Sequence, residues 1–215
     1  ICEVSPRFLR PFAGTLGQAM VSVARAAPLA TATRCMAVEF LLTLAENASG
    51  MFRKERAVVA ATVAMALALL CEAGNEPDAQ WAERPEAAAL EEDEGGRLAC
   101  VGEEAVDRIA RALGAKAVLP VAFAPQHIPA LAADQDWRRR RAALLATGLA
   151  AEGCRLGMRA HLADIVRNLV VPRFGLRGSR LRVRAGLLGG LDGGAAGPCV
   201  VEAGGVLEHA PGAQA

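Results

Sequence analysis

The 215-residue sequence contains no tyrosine, and aromatic residues make up only 4% of it. Strands favour β-branched and aromatic side chains, so a chain this poor in aromatics gives a sheet little to be built from. Signatures of metal and redox chemistry are missing too. The six cysteines (2, 35, 71, 100, 154 and 199) never stand at C-x-x-C spacing, and His127, His161 and His209 keep no ligand spacing to any of them, which leaves a zinc site without support. Cys35, Cys71 and Cys154 fall inside helical patterns and read as reduced thiols filling a core in a cytosolic protein. Neither H-E-x-x-H nor G-x-S-x-G occurs. "GLLGGLDGGAAG" is glycine-rich, but no strand pattern precedes it and no Lys-Ser/Thr follows, so it makes a poor phosphate cradle. The expectation is a protein with no catalytic role, no cofactor and no metal. Long apolar runs are lacking as well: the best, Ala57 to Cys71, is 15 residues interrupted by Thr62, short of the ~20 that span a bilayer.

What the sequence does have is helical periodicity. Val38, Leu41, Leu42 and Ala45 follow i, i+3, i+4, i+7 in a helix that begins with Thr31 or Thr33 as its cap and stops near Gly50. Val58, Thr62, Met65 and Leu69 make a second stripe that ends at Gly74. Val106, Ile109, Ala110 and Leu113 make a third, opened by Glu103 and Glu104, where the helix dipole favours acids, and closed by Gly114. Pro120 is placed in the first turn of the helix that follows, and Pro125 and Pro129 should shorten or kink it. Asp134 and Asp136 offer caps to a helix with Ala142, Leu145 and Leu149 on one face and a stop at Gly153. Leu162, Ile165, Val166, Leu169 and Val170 form another helix ending at Pro172, and Ser179 caps one more. The fold class that follows is all-α.

The net charge of +1 hides an asymmetry. Residues 74 to 104 carry ten acids against Arg84 and Arg97, a net of −8 that leaves +9 for the rest of the chain. Opposed fields of that size concern partners rather than fold. Residues 74–102, with two prolines and the run "EEDE", read as a long loop, far beyond the ~2 to 8 residues of ordinary helix connections. The basic run "RRRR" at 138–141 has no aromatic stacking platform for nucleic acid beyond Trp137 and reads as a solvated helix face.

The helical pieces also recur. Arg141 precedes Ala142 and Arg184 precedes Ala185, 43 residues apart, and helix pairs repeating every ~40 to 47 residues mark a HEAT or armadillo-like α-α superhelix. An arginine stem early in each first helix covers apolar surface while its head reaches an Asp at the foot of the neighbouring repeat, so Arg141, Arg184 and the adjacent Trp137 are candidate repeat-stacking residues. The order "RCMAVEFLLTLAENASGMFRK", an acidic insertion with Trp81 and "EEDE", "GEEAVDRIARALGAKAVLP" and then "DWRRRRAALLATGLAAEGC" resembles the importin-beta (karyopherin-beta) superfamily of nuclear transport receptors, nearest the importin five or karyopherin beta-three branch. The resemblance runs from about Arg7 to Leu191. It departs from the family at Pro125 and Pro129, at Gly186 where a small alanine is usual, and after Leu191.

The resemblance implies a HEAT-repeat solenoid over 1–191, with the acidic loop at about 74–102 and an irregular Gly/Ala-rich tail at 192–215. Together with the start at Ile1, it suggests middle repeats of a longer receptor. It further implies protein cargo with basic nuclear-localisation signals, release by the GTP-bound GTPase Ran through parts of the parent nearer its N-terminus, contact with nucleoporins, and shuttling between cytoplasm and nucleus. Neither membrane nor nucleic acid is an expected partner. Glu91, Glu92, Asp93 and Glu94 are the candidate partner-binding residues, since a flexible acidic segment raises the encounter rate with basic surfaces. The competing reading is a HEAT scaffold of the phosphatase-regulatory kind, which has no need of an acidic insertion.

Overall fold

In the computed structural model the described residues are 6–72 and 94–174. The chain divides into two units, Ile1–Arg182 and Val183–Ala215, and all described residues belong to the first. Every regular element among them is helical. A 3₁₀ turn, Pro6–Phe12, leads into α1 (Ala13–Arg25), followed by α2 (Thr31–Asn47), the single turn α3 (Ser49–Phe52) and α4 (Arg56–Leu70). After the undescribed stretch come α5 (Glu94–Leu113), α6 (Ala115–Ala122), α7 (Ile128–Ala133) and α8 (Trp137–Met158). No helix among the described residues is long and apolar enough to cross a membrane.

The helices form a chain of neighbours. α1 packs on α2 and α4; α5 packs on α2, α4 and α8; and α8 also packs on α6 and α7. One continuous apolar core runs through all of them. The stripes read from the sequence lie in it: Val38, Leu41, Leu42 and Ala45 of α2, Val58, Thr62, Met65 and Leu69 of α4, and Val106, Ile109, Ala110 and Leu113 of α5 are all buried. Thr62 keeps its hydroxyl satisfied there by donating to the Val58 carbonyl at 2.7 Å. Gly114 ends α5 with φ of +74°, the left-handed conformation glycine adopts at little cost.

Several expectations are corrected. α5 begins at Glu94, so 94–102 is helix rather than the end of a loop, while 73–93 lie outside the described residues. Gly102 belongs to that helix: a Cβ there would stand 2.7 Å from the Leu70 amide nitrogen, so its bare backbone lets α5 press against α4. α2 starts at Thr31 itself, and neither Thr31 nor Thr33 caps it. Pro120 sits inside α6 rather than in its first turn, because α6 starts directly after Gly114; the chain then turns at 123–127 and restarts with Pro129 at the beginning of α7. The proline-driven break was expected, and it divides the segment into two short helices.

Gly153 does not stop α8, which runs on to Met158. It lies against the backbone of Ala110 and Arg111 in α5. The buried face of α8 is accordingly Ala142, Ala143, Ala146, Ala150 and Cys154, with Leu145 and Leu149 only half-buried. Small residues win that face because two helix backbones in close approach leave no room for leucine. Beyond Met158 the expected single helix is instead a 3₁₀ turn (Arg159–His161), one α turn (α9, Leu162–Ile165), a π turn (Val166–Val170) and a last α turn (α10, Val171–Phe174) that contains Pro172. Leu169 is buried in that stretch. The helix expected from Ser179 and the tail at 192–215 lie outside the described residues.

Candidate protein-binding surface

The polar surface is organised by arginines that cross from one helix to the next. Arg34 of α2 is almost fully buried; its Nε donates to the Ala24 carbonyl at the end of α1 (2.8 Å), and its two terminal nitrogens form a fork onto Glu72 at 2.6 and 3.1 Å. Glu72 is the last described residue before the acidic stretch. The root of that stretch is therefore tied to α1 and α2 by a bidentate pair, the strong geometry for a guanidinium and a carboxylate. Cys71, one residue earlier, has its thiol pushed up by burial against the opposing pull of Arg139, which brings the end of α4 beside the start of α8.

On α5, Arg108 uses all five of its N–H donors. Nε and one terminal nitrogen fork onto Glu46 (2.7 and 2.8 Å), both terminal nitrogens fork onto Glu39 (2.7 and 3.0 Å), and the remaining donor reaches Glu104 one turn back (2.9 Å). The carboxylates hold the Arg108 pKa above the ordinary arginine value, and Arg108 in turn lowers that of Glu39. Arg111 continues the line, bonding Asp107 on its own helix (3.0 Å) and Glu152 on α8 (2.8 Å).

The expected site residues fall as follows. Arg141 of α8 is mostly buried and donates to Glu103 of α5 at 3.1 Å, so the acid it reaches across the seam is a glutamate of the preceding helix pair rather than the expected Asp. Trp137 is the half-buried first residue of α8, with the Arg138 guanidinium 5.6 Å from its ring centroid. Glu94 opens α5; Glu91, Glu92, Asp93, Trp81 and Arg184 lie outside the described residues. The rest of "RRRR" is engaged locally, Arg139 with the Asp134 carboxylate (2.7 Å) and Arg140 with the carbonyls of Asp134 and Gln135. Asp136 caps α8 by accepting from the Arg138 amide at 2.9 Å. Among the described residues no group of His, Cys, Asp and Glu is placed to hold a metal. The Arg34 fork and the Arg108 hub went unread in the sequence. Glu104 and Arg108 at i, i+4 were the visible half of the hub, and the other half depends on which face of α2 meets α5.

Comparison with known proteins matches this arrangement. Residues 26–120, from the loop before α2 through most of α6, match the family model described as Importin repeat. Importin subunit beta-3 of Saccharomyces cerevisiae is 25% identical over 174 residues, 80% of this chain. Both similarities point to the importin-beta superfamily. Crystal structures of the karyopherin Kap121p show the fold: bound to Pho4p it superposes with a TM-score of 0.72 and bound to RanGTP with 0.71, each at 24% identity over 80% of this chain. The described helices thus share the HEAT-repeat fold of those structures. The chain spans only 15% of the yeast importin's length and 16 to 17% of the Kap121p chains.

Proposed function

We propose that this importin segment contributes to a receptor that carries protein cargo with basic nuclear-localisation signals and gives it up to Ran-GTP, the latter mainly through other parts of the parent chain. Support comes from the Importin repeat match together with the relatives: Kap121p has been crystallised bound to Pho4p, to the extreme C-terminus of Cdc14p, to Nup53p and to RanGTP. Nucleoporin contact and shuttling between cytoplasm and nucleus belong to the same reading, in which the chain catalyses nothing. Within it Glu91, Glu92, Asp93 and Glu94 form an acidic lure for basic peptide, close in sequence to the point where Arg34 ties down Glu72.

Titrating a fluorescent lysine-rich nuclear-signal peptide tests this. Binding should weaken as salt shortens the screening length from ~10 Å at 0.1 M to ~3 Å at 1 M. It should also weaken when Glu91→Gln, Glu92→Gln, Asp93→Asn and Glu94→Gln are combined. Indifference to the peptide would return the chain to the scaffold class, and binding unchanged by the four substitutions would remove the acidic run from the site.

A further inference from the structure

The seams between helices are of two kinds. Where α5 meets α4 and α8, glycine opposes backbone: Gly102 faces the Leu69–Leu70 backbone, and Gly153 faces the backbone of Ala110 and Arg111. Contacts of this kind have no rotamer to adjust, so α4, α5 and α8 are locked at fixed separation. Among the described glycines none opposes α2. On that side α5 reaches across with Arg108, whose two forks land on Glu39 and Glu46, two turns apart along α2.

A guanidinium held between two carboxylates separated along one helix resists sliding in both directions. Moving α2 by one residue, ~1.5 Å along its axis, would spoil the bidentate geometry at both ends together. The hub is also accessible to ions, since the Arg108 side chain is 20% exposed and those of Glu39 and Glu104 more than half. Three carboxylates surround one cation, so its loss would leave like charges facing one another.

We propose that Arg108 is a releasable pin that sets the stagger of α2 on α5: α4, α5 and α8 hold together as a block, and α2 is the helix whose seat yields when the pin is removed or screened. The charged groups facing it are Glu39 and Glu46 of α2 and Glu104 of its own helix. Lysine cannot replace it, because a point charge with three rotatable donors makes neither fork.

Hydrogen exchange of the full 215-residue chain at pH 7 tests the pin. In Arg108→Gln the amides in the second half of α2 should exchange about tenfold faster, with the α4 and α8 amides unchanged; Arg108→Lys should behave like Arg108→Gln. In the unaltered chain, 1 M salt should move the same α2 amides in the same direction, which keeps the test available if a variant fails to fold. The proposal is overturned if Arg108→Gln leaves α2 protection as it was, if all helices speed up together, if Arg108→Lys matches the unaltered chain, or if salt leaves α2 untouched.

Discussion

Replacing Gly153 with alanine puts the glycine seam to its sharpest test. Alanine is the better helix former by ~1 kcal/mol, so helix propensity alone predicts stabilisation. The packing predicts the reverse. The new Cβ would stand 2.6 Å from the Ala110 carbonyl oxygen and closer still to the Ala110 carbonyl carbon and Arg111 nitrogen, where ordinary contact begins at 3.4 Å. All three atoms are backbone, so no side chain can turn aside, and with the Ala110 carbonyl carbon the nearest of them α8 must withdraw from α5 by roughly 1 Å. A gap of that size forfeits about a quarter to a half of the dispersion attraction across the seam. Overpacking costs about 1–3 kcal/mol, and against three unyielding backbone atoms the upper part of that range, about 2–3, applies; with the propensity gain of ~1 subtracted, a net loss of about 1–2 kcal/mol remains. With a urea slope of ~2 kcal/mol/M the unfolding midpoint should fall by roughly 0.5–1 M. Gly50→Ala is the control: Gly50 lies in the short α3, and a Cβ there would meet nothing within 4 Å, so its midpoint should hold or rise slightly. A Gly153→Ala midpoint at or above that of the unaltered chain would refute the reasoning.

Further predictions concern charge and caps. Glu72→Gln leaves the buried Arg34 with a neutral partner; discounted for the 38% exposure of Glu72, the cost should be about 1 kcal/mol, read as a lowered Tm, and an unchanged Tm would mean the Ala24 carbonyl alone suffices. Asp136→Ala removes the α8 cap and should cost ~1 kcal/mol in urea unfolding, with Asp136→Asn close to neutral; equal losses would argue that charge rather than capping matters. Burial pushes the Cys154 thiol up to about 11, so the native fold holds it protonated at pH 8; it should be the slowest of the four described cysteines to react with a thiol reagent, until denaturant exposes it and its pKa returns toward ~8.5. Reaction of Cys154 as fast as the half-buried Cys35 would contradict its placement.

The sequence made the helical stripes legible because burial at i, i+3, i+4 and i+7 is a local pattern, and α2, α4 and α5 bury the residues that pattern names. Glycine misled wherever its role was tertiary. Gly114 is a stop with positive φ, but Gly153 and Gly102 lie inside helices, and nothing local separates a glycine that ends a helix from one that lets a neighbour approach. Leu145 and Leu149 suggested the core face of α8 because leucine outweighs alanine on any hydrophobicity scale, yet the seam selects for smallness, and Ala142, Ala146 and Ala150 take it. Of the candidate site, the position of Arg141 early in a repeat singled it out, but its partner is Glu103 and not an Asp. The Arg108 hub needs two helices, 39–46 and 104–108, to be brought side by side before it exists.

That difference bears on how substitutions act. A glycine seam sets distance, so disturbing it separates two backbones and is felt as lost stability. An arginine pin sets stagger, and α2 without it still buries Val38, Leu41, Leu42, Leu44 and Ala45. With that burial and the Arg34 bonds to Ala24 and Glu72 still in place, loss of the pin is felt in how firmly the second half of α2 is seated on α5 more than in whether the chain folds. In a stack where α5 touches both α2 and α8, a change of stagger at one face leaves the other intact. Global unfolding should thus report Gly153 strongly and Arg108 weakly, while local exchange in α2 reports them in the opposite order.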